Sequence, residues 1–209
     1  MAQILKFPLH ASKFGYKRVR QRARPAENPN QLHLFPQPTA QILSLHSALS
    51  SFEQALLLDE RGDTQAAELY RKAIEENDCA GDAFCNLGII ESKRGNIAKA
   101  FDCFTTCLRQ NPRHFEAHYN LGNLYFDAND FRLAQLHYEL AAEVDPTFPN
   151  VHFNLALVQA ISNDLWAAIA TLTRYQELVP PAEGRHVEEL LENLRKSLIA
   201  AKDPHSGPP

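Results

Sequence analysis

The sequence predicts an all-α protein, an α-solenoid of about four helix–turn–helix units with a C-terminal capping helix. Three observations favour this fold class. Similar residues recur at an interval of 34 along residues 47–180. Glycine is scarce, with 8 in 209 residues, which favours helices over turn-rich sheets. Each 34-residue unit also contains two apolar stripes of helical period separated by turn-forming residues.

The first 38 residues are predicted to be a disordered, basic and proline-rich arm. Residues 1–24 contain seven Lys and Arg side chains and no acid, whereas the formal net charge of the whole chain is −4. The remainder is therefore strongly acidic, so the two parts are expected to meet different partners or each other. Residues 1–24 are a candidate for weak nucleic-acid contact. The arm is equally a candidate occupant of an acidic groove in the solenoid.

The repeats are predicted to occupy 39–180, with Thr39 as a helix N-cap before the first unit. The units are 47–80, 81–114, 115–148 and 149–182. Their eighth and twentieth residues are mostly small, the twenty-fourth is mostly aromatic and the thirty-second is mostly proline: Gly88 and Gly122; Ala66, Ala100, Ala134 and Ala168; Tyr70, Phe104 and Tyr138; Pro112, Pro146 and Pro180.

Within each unit, residues that tolerate a left-handed backbone are expected to separate the two helices. These turns are predicted at Arg61-Gly62, Gly95-Asn96, Asn129-Asp130 and Asn163-Asp164. A glycine in the middle of a helix costs about 1 kcal/mol relative to alanine, so Gly88 and Gly122 indicate a very close neighbouring helix.

The last predicted helix spans 183–201 and closes the solenoid, and 202–209 is predicted to be a disordered tail. Its apolar stripe is formed by Val187, Leu190, Leu191, Leu194 and Leu198.

This pattern of small, small, aromatic and proline residues resembles the tetratricopeptide repeat family over 47–180. The resemblance implies a non-enzymatic adaptor or scaffold for protein–protein interaction. In this family, the first helices of successive units line a concave groove that holds an extended or helical peptide. The function predicted from the resemblance is therefore peptide binding in that groove.

Asparagine stands at the sixth position of three units, and the resemblance places that position in the groove. A primary amide can donate to and accept from a peptide backbone at the same time. A row of amides at repeat spacing therefore predicts that an extended partner is held by its backbone, with aromatic side chains forming pockets. The predicted groove residues are Asn86, Asn120, Asn154, Tyr119, Asn123, Phe126, Phe153, Cys85, Asp82 and Glu116.

The charge of this predicted groove favours a neutral or basic peptide. Some members of the family bind the C-terminal carboxylate of chaperones with lysines and an arginine around the same asparagine. The equivalent positions here are Ser51 and Glu116 around Asn120, or Cys85 and Asn150 around Asn154, and none is basic. We therefore do not expect a chaperone tail as the partner.

No catalytic residue, cofactor or metal site is predicted. Cys103 and Cys107 lie one helical turn apart, but the four cysteines are expected to be free thiols without zinc, because their positions alternate between groove and core. His118 and His152 are expected to pack at the fourth position of their units. A metal-dependent enzyme is the weaker alternative.

A second functional hypothesis concerns residues 31–35 within "NPNQLHLFP". Gln31, Leu32, Leu34 and Phe35 resemble the short motif by which bacterial replication and repair proteins bind the sliding clamp. Such a strip would insert Leu34 and Phe35 into apolar pockets. The alternative function is thus an accessory factor recruited to DNA replication or repair, and the simpler interpretation is a solvated linker.

The predicted localisation is cytoplasmic, with no membrane partner. The N-terminal residues lack the pattern of a secretory signal, and no apolar run approaches the length of a membrane span. An arginine-rich and acid-poor N-terminus is also compatible with an organellar transit peptide.

Overall fold

The computed structural model describes residues 17–20 and 49–202, and within these ranges every regular element is a helix. The elements follow one another as α1 Ser51–Glu60, α2 Ala66–Glu75, α3 Ala80–Lys93, α4 Ile97–Gln110, α5 Phe115–Asp127, α6 Phe131–Val144, α7 Pro149–Ile161, α8 Leu165–Leu178, α9 Pro181–Gly184, a 3-10 turn Arg185–Val187 and α10 Glu188–Lys202. The sliding-clamp-like motif at 31–35, the N-cap proposed at Thr39 and the tail at 203–209 lie outside the described residues.

Consecutive helices pack in pairs, and the pairs stack in chain order. The pairs are α1 with α2, α3 with α4, α5 with α6 and α7 with α8. The second helix of each pair also packs on the first helix of the next, and α10 packs on α8. Each unit therefore contacts mainly its neighbours, which is the arrangement of a solenoid. The predicted all-α solenoid is confirmed.

The turn inside each pair contains one residue with a left-handed backbone. Gly62 has φ +72° and Gly95 has φ +80°, while Asn129 and Asn163 have φ +60° and +62°. These are residue types that reach this conformation at little cost. The turns therefore form where the sequence predicts them.

The two mid-helix glycines make room for an aromatic ring on the second helix of their own pair. A Cβ atom on Gly122 would lie 2.5 Å from Cε1 of Tyr138, and one on Gly88 would lie 2.8 Å from Cε1 of Phe104. The sequence predicted a very close neighbouring helix at these two glycines, without naming the aromatic ring as the group in contact. The ring itself occupies the space that the missing side chain leaves.

Residues 181–202 close the stack at its C-terminal end. The range predicted as one helix, 183–201, is covered by the end of α9, the 3-10 turn and α10. The side chains of Val187, Leu190 and Leu194 are buried in the same cluster as Tyr175 of α8. The terminal segment thus covers the apolar face that the last pair would otherwise expose.

Candidate peptide-binding groove

Residues 17–20, here called the arm segment, lie across the first helices of the repeats. The surface that they contact is called the groove, and it is formed by side chains of α1, α3, α5 and the turn before α7: Asp59, Asn86, Ile89, Lys93, Glu116, Asn120 and Phe148. The segment leaves an open cavity of about 590 Å³ beside it, bordered by Lys17, Arg18 and Arg20. Residues 17–20 therefore fill only part of the groove.

Two members of the asparagine row hold the backbone of alternate residues of the arm segment. The Val19 N–H donates to Oδ1 of Asn86 at 2.9 Å, and Nδ2 of Asn86 donates to the Val19 carbonyl at 3.0 Å. The same pair of bonds joins Lys17 to Asn120, at 3.0 and 2.9 Å. Because backbone groups of every second residue point the same way in an extended chain, this alternation is that of a strand. Each asparagine side chain thus makes the two backbone hydrogen bonds that a residue of a neighbouring strand would make.

Three side chains of the segment make different contacts. Val19 is 1% exposed and lies in a buried cluster with Ile89 and Leu121. Nε of Arg18 lies 2.6 Å from Oδ2 of Asp59. The Nζ atom of Lys17 lies 4.4 Å from the ring centroid of Phe148, within the range of a cation–π contact. The segment is therefore held through an apolar, an ionic and an aromatic contact as well as through its backbone.

A short hydrogen-bond chain connects the ionic contact to the first amide. The Tyr70 hydroxyl donates to Asp59 Oδ2 at 3.2 Å, and Nδ2 of Asn86 donates to the same hydroxyl at 3.2 Å. Burial raises the pKa of Asp59, and the nearby Arg18 guanidinium opposes that shift. A buried carboxylate is stabilised by a cation, so this end of the groove favours a basic side chain.

The third asparagine of the row is placed differently. Nδ2 of Asn154 donates to the Tyr119 hydroxyl at 3.3 Å and to Oδ1 of Asn123 at 3.2 Å, and the Tyr138 hydroxyl donates to the same Oδ1 at 2.8 Å. Oδ1 of Asn154 and Nδ2 of Asn123 are buried and have no hydrogen-bond partner among the described residues. Asn154 is therefore tied to the scaffold, while one of its polar atoms is left unsatisfied.

The other predicted groove residues divide between the groove wall and the core. The thiol of Cys85 is buried and lies 3.9 Å from Nδ2 of Asn120. Phe126 packs against Phe131, and Phe153 packs against Tyr175 in the C-terminal core. Both rings therefore contribute to the packing of their own helix pairs.

Asp82 and Glu116 both approach the buried ring of His114. Nε2 of His114 lies 2.8 Å from Asp82 Oδ1, and Nδ1 lies 3.4 Å from Glu116 Oε2. The Ala117 N–H donates to the same Nδ1, so Nε2 carries the proton that is donated to Asp82. Asp82 therefore links α3 to the turn before α5, whereas Glu116 also borders the cavity beside Lys17 and Arg18.

Sequence reasoning missed the groove residue Phe148, and it missed Tyr70, which supports the groove residues Asp59 and Asn86. Phe148 belongs to the turn before α7, and Tyr70 belongs to the second helix of its unit. Neither position is among those that the family pattern assigns to the groove. The one available signal was that Tyr70 carries a hydroxyl where Phe104 does not, because a buried hydroxyl needs a partner.

His118, His152 and the buried cysteines belong to the scaffold of the described residues. Nε2 of His118 donates to the Pro112 carbonyl, and Nε2 of His152 donates to the Pro146 carbonyl, both at 2.9 Å. All four cysteines are free thiols, and burial raises the pKa of Cys85 well above its ordinary value. Within residues 17–20 and 49–202, no group of three or more His, Cys, Asp or Glu side chains is placed to hold a metal ion.

The described helices also bear on the membrane question. None of those in residues 49–202 combines the length and the apolar character that crossing a bilayer requires.

Sequence comparison finds the repeats directly. Two profiles described as "Tetratricopeptide repeat" match the chain, one over residues 115–148 and the other over 85–131. No curated protein matches the chain.

Several solved structures share the fold at low sequence identity. A thermophilic TPR protein of Thermus thermophilus, TTC0263, is 20% identical with a TM-score of 0.52, and the match covers 71% of this chain and 81% of that one. MamA of AMB-1 is 20% identical with a TM-score of 0.56, covering 76% and 92%. A chain of the Naa15/Naa10 complex bound to HypK-THB is 18% identical with a TM-score of 0.55, covering 76% and 25%.

These likenesses agree with the fold, and the matched profiles identify the repeats of α3 to α6. Residues 85–148 of this chain are therefore tetratricopeptide repeats.

Proposed function

We propose that this chain is a non-enzymatic protein-interaction adaptor whose groove binds an extended basic peptide by its backbone. A protein-interaction role is what tetratricopeptide repeats support in general. The observation that supports the finer proposal is the pairing of Asn86 and Asn120 with both backbone groups of Val19 and Lys17. Because amides bind backbone of any sequence, this part of the groove sets the ligand's conformation and leaves its identity to other contacts.

The charge of the groove supports a basic ligand. Asp59 is buried beside Arg18, and Glu116 borders the cavity next to the arm segment. Arg20 borders a second open cavity together with Glu53 and Glu60. Electrostatic complementarity of this kind raises association rates and suppresses binding of acidic partners.

The chemistry of the groove supports binding rather than catalysis. The groups that contact the ligand backbone are carboxamides, which neither transfer protons nor act as nucleophiles at neutral pH. The thiol nearest to them, Cys85, is kept protonated by burial, which raises its pKa, and a protonated thiol is a poor nucleophile.

The proposal is tested with a chain whose own segment no longer fills the groove. The full chain with Arg18→Glu and Val19→Asp, here called the released chain, places an acid beside Asp59 and a charge in the apolar Val19 site. Binding is measured against an array of peptides of basic, neutral and acidic composition. We expect basic peptides to bind, and Asn86→Ala with Asn120→Ala to abolish binding of all of them.

The matched control is Asn111→Ala, which removes an asparagine from the turn between α4 and α5, where its side chain accepts from the Arg113 N–H. This substitution should leave peptide binding unchanged. If the released chain binds no peptide, or if its binding survives loss of both groove asparagines, the proposed function is wrong.

A further inference from the structure

The arm segment indicates which side chains the groove accepts, whereas the asparagine row indicates only how the backbone is held. Its backbone is held without regard to sequence, but its side chains occupy three chemically different sites. We propose that the groove recognises the pattern basic-Arg-aliphatic-basic in an extended peptide, and that residues 17–20 are an intrachain ligand of this pattern which an outside partner must displace. This inference rests on the proposed function and names its ligand class.

The aliphatic position is the most restrictive of the three sites. Val19 is 1% exposed, and its neighbours in the buried cluster are apolar side chains and the thiols of Cys85 and Cys107. A polar side chain at this position would be buried without a hydrogen-bond partner, and a charged one would lose its hydration. The site therefore selects a small aliphatic residue at the position that pairs with Asn86.

The preceding position selects arginine through Asp59. The side chain of Asp59 is 8% exposed, and the side chain of Arg18 is 24% exposed. The Tyr70 hydroxyl holds the carboxylate in place. Such a partly buried pair is screened less by water and salt than a surface pair is. Removing the cation leaves the buried carboxylate with only the weaker electrostatic contribution of Lys93, so a neutral residue at this position is disfavoured.

The flanking bases occupy more open sites. Lys17 lies over the Phe148 ring, and Arg20 is exposed beside Glu53 and Glu60. These contacts favour a positive charge but do not fix its geometry. We therefore expect either lysine or arginine at both flanking positions.

The unsatisfied atoms around Asn154 indicate where a longer partner continues. The segment places residue 19 at Asn86 and residue 17 at Asn120, so its N-terminal direction leads towards Asn154. Oδ1 of Asn154 and Nδ2 of Asn123 are a buried acceptor and a buried donor without partners among the described residues. One further backbone residue of a partner peptide would satisfy both, two positions before the lysine.

An intrachain ligand competes at a high effective concentration. Twenty-eight residues separate Arg20 from Leu49, and a tether of this length within one chain gives an effective concentration on the order of millimolar. An outside peptide of the same sequence therefore meets an occupied groove in the wild-type chain. Its apparent affinity should be lowered at least about tenfold relative to the released chain.

The test uses a labelled peptide with the sequence of residues 13–24, KFGYKRVRQRAR, and fluorescence anisotropy. The expected result is binding to the released chain at least about tenfold tighter than to the wild type. A peptide with aspartate in place of the valine should bind at least about 100-fold more weakly to the released chain. Equal affinity of wild-type and released chains would overturn the intrachain competition, and equal affinity of both peptides would overturn the aliphatic site.

A double-mutant cycle isolates the arginine site. Asp59→Asn keeps an acceptor for the Tyr70 hydroxyl but removes the charge. Replacing the peptide arginine that corresponds to Arg18 by alanine should weaken binding about tenfold when Asp59 is present and less than about twofold when it is asparagine. Equal losses in both backgrounds would show that Asp59 does not recognise the arginine.

The oligomeric state decides whether the segment acts within one chain. Light scattering of the wild type should give a monomer at the concentration of the binding assay. A dimer that dissociates in the released chain would place the segment in the groove of a second copy and overturn the intrachain interpretation. Failure of the underlying function looks different: the released chain would then bind no peptide in an asparagine-dependent way.

Discussion

Asn120 is the member of the asparagine row whose substitution separates ligand binding from folding most cleanly. Its side chain makes two hydrogen bonds to Lys17, and its contact with the scaffold is a weak one to the Cys85 sulfur at 3.9 Å. The neighbouring Phe104 has no hydroxyl to bind it, whereas Tyr70 binds Asn86. Asn120→Ala should therefore release the arm segment and leave the repeats folded.

The magnitude follows from the two lost hydrogen bonds. A neutral hydrogen bond contributes a net of about 0.5–1.5 kcal/mol, so docking of the segment should weaken by about 1–3 kcal/mol. At about 1.4 kcal/mol for each factor of ten, the docked population should fall by about 5- to 150-fold relative to the undocked one.

Amide hydrogen exchange of Lys17 and Val19 measures this directly. The N–H groups of both residues donate to asparagine oxygens, so they exchange only when the segment undocks. In the Asn120→Ala chain both amides should exchange about 5- to 150-fold faster. A change at Lys17 alone would mean that the two residues do not dock as a unit.

Folding is compared in the released chain, where docking no longer contributes to stability. There, Asn120→Ala should change the free energy of unfolding by less than about 0.5 kcal/mol. Asn154→Ala should cost about 1–3 kcal/mol, because Asn154 bonds both Tyr119 and Asn123. The reasoning fails if Asn120→Ala unfolds the repeats as readily as Asn154→Ala does, or if exchange at Lys17 does not change.

Two further predictions concern the scaffold. Gly122→Ala should destabilise the chain by about 1–3 kcal/mol in urea denaturation, because the new Cβ would lie 2.5 Å from the Tyr138 ring. The control is Gly81→Ala, which should be close to neutral because a Cβ on Gly81 would lie 3.3 Å from the flexible end of Gln110. Equal effects would mean that ring packing is not what the glycine serves. Burial lowers the pKa of His137 from 6.5 to about 4, so the unfolded chain binds more protons between these values and stability should rise from pH 4 to pH 6.5. His137→Gln should flatten this rise, and an unchanged slope would assign it to other groups.

The fold was largely predictable because the repeat period sets both pairing and turns. The left-handed residues Gly62, Gly95, Asn129 and Asn163 stand where tight helical turns need them, so local sequence was sufficient. The direct contact between Gly122 and the Tyr138 ring was not predictable from the sequence, because it depends on how two helices cross.

The candidate site was predictable to a smaller extent. Period and residue type point to the asparagine row, and they make all three members look equivalent. Asn154 differs because Tyr119 and Asn123 lie beside it in space, and no spacing rule brings those three residues together. Phe148 was not predicted as a groove residue because it belongs to a turn, where residue type is a poor guide to exposure. The basic charge of residues 1–24 suggested an occupant for the groove, but only the structure specifies Lys17 to Arg20.

Backbone N-methylation of the 13–24 peptide tests most directly whether the groove holds its ligand by the backbone. N-methylation removes one N–H donor and keeps every side chain. The positions that correspond to Lys17 and Val19 donate to Asn120 and Asn86, whereas the N–H of Arg18 makes no such bond to the groove residues that the structure describes. Binding to the released chain should fall at least about tenfold for methylation at either of the first two positions and change little at the third. Equal losses at all three positions, or no loss at any, would contradict the account.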